Sequence, residues 1–83
     1  MKINIRESAV KDLKKIGGTD KKRIHDKILE LENFPDVSNL KKLTDFKPAY
    51  RARVGDYRIL FDIVKDTVEI GRILHRKESY KKA

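Results

Sequence analysis

Five of the seven arginines in this 83-residue chain lie between positions 51 and 76. Arg51, Arg53 and Arg58 come first, and the closing run His75-Arg76-Lys77-Glu78-Ser79-Tyr80 follows. Guanidinium groups projecting from neighbouring strands offer paired, fixed donors to phosphate oxygens. A tyrosine beside them can stack on a base, and an imidazole can carry a proton near neutral pH. The chemistry open to this set is metal-free cleavage of RNA. There the substrate's own 2′-hydroxyl attacks the adjacent phosphate, so the protein supplies orientation, charge neutralisation and proton transfer but no nucleophile.

Other chemistries fail on inventory. There is no cysteine, and the two histidines, His25 and His75, stand far apart, which makes a poor zinc site. No glycine-rich loop for a nucleotide, no paired carboxylates at a glycosidase spacing and no serine-nucleophile signature are present. Neither a metal nor a cofactor is expected. The net charge of +8, from 21 basic and 13 acidic residues, favours a polyanionic partner through long-range attraction and counterion release. The basic residues of 1–48 are mainly lysine, while 49–83 carry more arginine than lysine. The lack of cysteine fits a reducing compartment, and no apolar stretch approaches the roughly 20 residues of a bilayer crossing. The start Met1-Lys2-Ile3 enters polar sequence at once, unlike a secretory signal, so a soluble cytoplasmic protein with no membrane partner is expected.

The elements that must position these residues are legible from periodicity. Ile3 and Ile5 alternate with polar neighbours as in a short strand. Ser8 can cap a helix carrying Val10, Leu13 and Ile16 on one face, with Gly17-Gly18 as a left-handed stop. Thr19 or Asp20 can cap a second helix with Ile24, Ile28 and Leu31 at helical spacing, running to Phe34-Pro35. Residues 35–48 read as a connection that Leu40, Leu43 and Phe46 anchor, with room for a helical turn near Leu40–Leu43. Three strands follow, 49–54, 57–64 and 67–75, joined by tight turns at Gly55-Asp56 and Lys65-Asp66. The expected fold is α+β, a two-layer β-α-α-β-β-β domain over residues 1–83. An antiparallel meander carries a helical hairpin on one face. Lys81-Lys82-Ala83 reads as a frayed end.

Alternation places Tyr50, Ala52 and Val54 on one face and Arg51 with Arg53 on the other. Tyr57, Ile59, Phe61 and Ile63 form an apolar face suited to the helices, which turns Arg58 toward Arg51 and Arg53. Any one of these arginines could equally be a solvated charge that guards the surface against aggregation. Convergence of several is harder to explain that way. Tyr50 and Tyr57 read as packing residues, and His25 as surface. The last strand has no clear facing, and Gly71 can mark a bulge that changes its parity midway.

Two stretches carry a resemblance to a known family: Tyr50-Arg51-Ala52-Arg53-Val54-Gly55-Asp56-Tyr57-Arg58-Ile59-Leu60-Phe61 and the closing His75-Arg76-Lys77-Glu78-Ser79-Tyr80. With the Gly17-Gly18 hairpin and Leu40-Lys41-Lys42-Leu43, nearly the whole chain resembles the RelE/ParE superfamily of toxin–antitoxin toxins. The His-Arg…Tyr ending favours its RelE-type mRNA interferase branch. That resemblance implies ribosome-dependent cleavage of mRNA leaving a 2′,3′-cyclic phosphate. It also implies restraint by a cognate antitoxin in a hetero-oligomer. By position, Arg58 matches the arginine that stabilises the transition state, Arg76 the one at the leaving oxygen, and Tyr80 the tyrosine that stacks on or orients substrate. Arg51 and Arg53, with Lys77, fall in the substrate-binding set. A relative has a lysine proposed as base where this chain has arginine, and a guanidinium hardly deprotonates. His75 is therefore the candidate proton carrier. The alternatives are a ParE-like inhibitor of DNA gyrase and a non-catalytic module that binds RNA or antitoxin.

Overall fold

In a computed structural model of the chain, the structure is described for residues 1–43 and 48–77. Phe46, Tyr80 and the Lys81-Lys82-Ala83 end, each given a role above, lie outside the described residues. The elements are β1 (Lys2–Ile5), α1 (Glu7–Lys14), α2 (Gly18–Glu30), a 3-10 turn (Leu31–Asn33), β2 (Leu40–Lys42), β3 (Tyr50–Val54), β4 (Tyr57–Val64) and β5 (Thr67–His75). The expected α+β architecture is borne out. Five strands form one mixed sheet in the order β1-β5-β4-β3-β2. The meander β3-β4-β5 is antiparallel, and β1 joins it in parallel beside β5, from Lys2 opposite Thr67 to Ile5 opposite Ile70.

Packing follows the periodicity. Ala9, Ile16, Ile24, Ile28 and Leu31 from the helical layer meet Ala52, Ile59, Phe61, Val68, Ile70 and Ile73 from the sheet. Phe61 is the largest fully buried side chain. Tyr50 stacks on it at 5.4 Å, and the edge of Phe34 meets Tyr50 at 5.1 Å. Tyr50 is thus a packing residue, as its parity required.

Three local expectations are corrected. Residues 35–48 do not contain a helical turn at Leu40; they contain β2, an edge strand whose Leu40, Lys41 and Lys42 pair with Ala52, Arg51 and Tyr50. Three residues are too few for alternation to stand out among polar neighbours. Helix α1 begins at Glu7, with Arg6 as its cap residue. Ser8 instead donates its Oγ hydrogen to the Gly71 carbonyl at 2.6 Å. The Gly17-Gly18 pair makes no left-handed stop: Gly17 is extended (φ −67°, ψ 161°) and caps α2, which opens at Gly18, ahead of Thr19 and Asp20. Reversal at an extended residue needs no positive φ.

Two glycines further along do set the geometry. Gly71 is left unmatched between the pairs Leu60–Arg72 and Phe61–Ile70, so β5 carries a bulge there. The parity shift lets Val68, Ile70 and Ile73 all face the core. Gly55 has φ +56° in the two-residue turn between the paired Val54 and Tyr57, a left-handed position that costs a side chain roughly 1–2 kcal/mol. A Cβ there would also press on the Arg23 guanidinium at 3.2 Å. Replacing Gly55 by Ala is expected to lower unfolding stability by about 1–2 kcal/mol in a urea titration. An unchanged midpoint would contradict this account of the turn.

Candidate functional site

The arginines are brought together by strand register. Arg53 lies directly opposite Arg58 across β3 and β4, Arg51 opposite Leu60, and Lys41 of β2 opposite Arg51. On the other side Arg58 faces Leu74 of β5. Since Ala52, Ile59 and Phe61 face the helices, Lys41, Arg51, Arg53, Arg58, Leu60 and Leu74 share the opposite face. Residues directly opposite one another have Cβ atoms roughly 4.5–5.5 Å apart, and like charges so placed repel. Lys41 was missed by sequence reasoning because β2 was; the Leu40-Lys41-Lys42-Leu43 pattern was its only signal.

The pairing of charges separates these residues from Arg6 and Arg72. Arg6 meets Glu69 at 3.5 Å and Arg72 meets Asp12 at 2.8 Å. Among the described residues no carboxylate pairs with Arg51, Arg53 or Arg58. Arg53 Nε and Arg58 Nη1 reach only backbone carbonyls, those of Gly55 at 3.5 Å and Tyr57 at 3.4 Å. Arg58 is nevertheless 6% exposed. The row runs from buried Arg58 through half-buried Arg51 to exposed Arg53, and guanidinium groups without acid partners among the described residues can accept an anion from outside.

Beyond β5, Arg76 and Lys77 enter a helical turn. The Arg76 N–H donates to the Asp56 carbonyl at 2.6 Å, which ties the turn to the hairpin that joins Arg53 and Arg58. Arg76 and Lys77 thus start at the same end of the sheet as that pair. His75 does not join them. It pairs with Tyr57, and its ring meets the Tyr57 ring edge-on at 5.2 Å. There it borders a small cavity of about 130 Å³ with Asp12, Lys15 and Ile16 of the helical layer. The bulge at Gly71 gives His75 the parity of Ile73, opposite to that of Leu74 and Arg58. His75 thus stands on the parity opposite to that of the arginine face.

Residues 3–80 match the family described as the ParE toxin of type II toxin–antitoxin systems, parDE. The chain belongs to that toxin family. It is 39% identical to toxin RelE3 of Methanocaldococcus jannaschii over 84 residues, covering 96% of each chain. Among solved structures it is similar to the toxin of the RelB–RelE antitoxin–toxin complex from Methanococcus jannaschii. The TM-score is 0.78 and the identity 36%, with 94% of this chain and 95% of that one covered. Isolated Escherichia coli RelE shares the fold, with TM-score 0.74 at 20% identity over 98% of this chain and 96% of its own. The resemblance to the RelE/ParE superfamily is borne out, and the protein is a RelE-like toxin of a toxin–antitoxin system.

In this toxin the helical layer is clamped to β5 by one carboxylate, a contact that sequence pattern did not disclose. Asp12 accepts from Arg72 Nε at 2.8 Å, from its Nη2 at 3.1 Å and from the Ile73 amide at 2.9 Å. Burial by itself would raise the Asp12 carboxyl. The Arg72 and Ile73 hydrogen bonds, with the charges of Arg72 and Lys15, outweigh it and hold the group below its ordinary value. A lowered folded-state value means that the stabilisation is present above the unfolded carboxyl value of about 3.9 and is lost as pH falls through the folded one. Asp12→Asn should therefore cost about 1–3 kcal/mol at neutral pH, with the gap to wild type closing in acid. Urea titrations across that range check it, and a gap that stays constant into acid would contradict the assignment.

Proposed function

We propose that this toxin is an endoribonuclease that cleaves mRNA on the ribosome, in the cytoplasm, and that a cognate protein antitoxin binds and restrains it in a hetero-oligomer. The observation that carries the reading is the row of guanidinium groups with no carboxylate partner among the described residues, Arg51, Arg53 and Arg58, joined by Lys41 on the same face. Attack of a 2′-hydroxyl on the adjacent phosphate concentrates negative charge on the non-bridging oxygens, and fixed donors placed where that charge develops lower the barrier most. Arg58, the most buried of the row, takes that role. Arg51, Arg53 and Lys41 hold flanking phosphates, and Lys77 extends the row. Arg76 stands by the leaving 5′ oxygen, and Tyr80 stacks on a base.

None of the arginines is a base at neutral pH, since guanidinium keeps its proton. With His75 turned to the other face, the proposal gives proton removal to water and the rate to charge stabilisation. A flat sheet face does little to orient single-stranded RNA by itself, and a ribosome holding the message in place would supply that orientation. The antitoxin partner is supported by the family's type II assignment and by the relative solved as an antitoxin–toxin complex.

On ribosomes programmed with a defined message, the purified toxin is expected to cut within the codon presented for decoding. Arg58→Ala and Arg76→Ala are each expected to slow the step by about 10²–10³-fold. Undiminished cleavage by both variants would show that the site is elsewhere. Inhibition of gyrase supercoiling without any cleavage would replace the reading by the gyrase one. Salt-sensitive RNA binding without cleavage would leave a binding module.

A further inference from the structure

We propose that His75 is a positioning residue: its imidazole caps the C-terminal helical turn and so fixes where Arg76 points. The effect on activity rests on the nuclease reading above; the structural part does not.

The first N–H groups of a helix have no acceptor within it, and a side chain just before the turn usually supplies one. Here the Lys77 N–H donates to His75 Nδ1 at 3.2 Å, so the residue preceding the turn caps its second position. The ring is held for that task. It meets the Tyr57 ring edge-on and sits over a cavity bordered by Asp12, Lys15, Ile16 and Ile73. Asp12, which borders the same cavity, is committed to Arg72 and the Ile73 amide. Accepting at Nδ1 places the ring proton of the neutral imidazole on Nε2.

One residue on, the Arg76 N–H is fixed to the Asp56 carbonyl at 2.6 Å. Two successive backbone N–H groups are therefore anchored, one by the hairpin that carries Arg53 and Arg58 and one by His75. Between them they set the direction in which the Arg76 side chain leaves the sheet. The dipeptide His75-Arg76 works as a unit, the first residue capping and the second delivering charge.

The test compares His75→Ala with His75→Asn. Asparagine is among the best capping residues and cannot carry a proton near neutral pH, so it separates capping from proton transfer. Two readouts are taken: amide hydrogen exchange at Lys77, and kcat and KM on programmed ribosomes. A lost cap is worth typically ~1 kcal/mol, or about fivefold. His75→Ala should lower both Lys77 protection and kcat by about that factor with little change in KM, and His75→Asn should recover most of both. If Asn protects Lys77 but remains as slow as Ala, His75 acts by its own proton chemistry and the proposal falls. It falls also if Ala leaves Lys77 protection unchanged. Should the wild-type toxin cleave nothing, the nuclease reading fails, and the exchange arm still decides the cap.

Discussion

Two guanidinium groups set directly across a strand pair, with no carboxylate among the described residues to separate them, is the constraint on which the rest of this toxin turns. Arg53 and Arg58 are opposed because Val54 and Tyr57 close a two-residue turn, and that turn exists because Gly55 takes φ +56°. Opposed like charges destabilise the free protein. A core of Phe61, Ile59, Ala52 and the helical residues above them fixes the register against slippage, since a one-residue shift would turn the arginines inward and the apolar set out. The protein holds the repulsion in place, and on the proposed reading an incoming phosphate relieves it.

A second device decides what stands beside that row. The bulge at Gly71 changes the parity of β5, so that Val68 and Ile70 face the core before it and Ile73 after it. Helix α1 is pinned at this point, through Ser8 to the Gly71 carbonyl and through Asp12 to Arg72 and the Ile73 amide. The same shift puts Leu74 beside Arg58 and sends His75 to Tyr57. The facing of Leu74 and His75 thus follows from one unmatched glycine.

Most of the architecture could be read from the chain because its period is unambiguous where burial is one-sided. Tyr50-Arg51-Ala52-Arg53-Val54 and Tyr57-Arg58-Ile59-Leu60-Phe61 alternate cleanly, and the facing of Arg51, Arg53 and Arg58 followed without further information. The helices were placed by Ile24, Ile28 and Leu31, but not their ends, because Gly17 caps α2 in an extended conformation rather than a left-handed one. Strand β2 was hidden because three residues give no measurable alternation. The facing of His75 stayed open for a different reason: a bulge breaks parity without changing composition, so Gly71 signalled an ambiguity and not its resolution. The Asp12–Arg72 clamp spans sixty positions, a separation at which pattern carries nothing.

On the proposed reading, no described residue of the arginine face serves as nucleophile or base. The row would bring fixed positive charge to a phosphate whose neighbouring 2′-hydroxyl does the attacking. The most direct test is a programmed ribosome carrying a message with a single 2′-deoxynucleotide on the 5′ side of the scissile bond. Cleavage there should cease, while the all-ribose message yields a 2′,3′-cyclic phosphate and a 5′-hydroxyl. Cleavage of the deoxy-substituted message at an unchanged rate, or products ending in a 5′-phosphate, would contradict it.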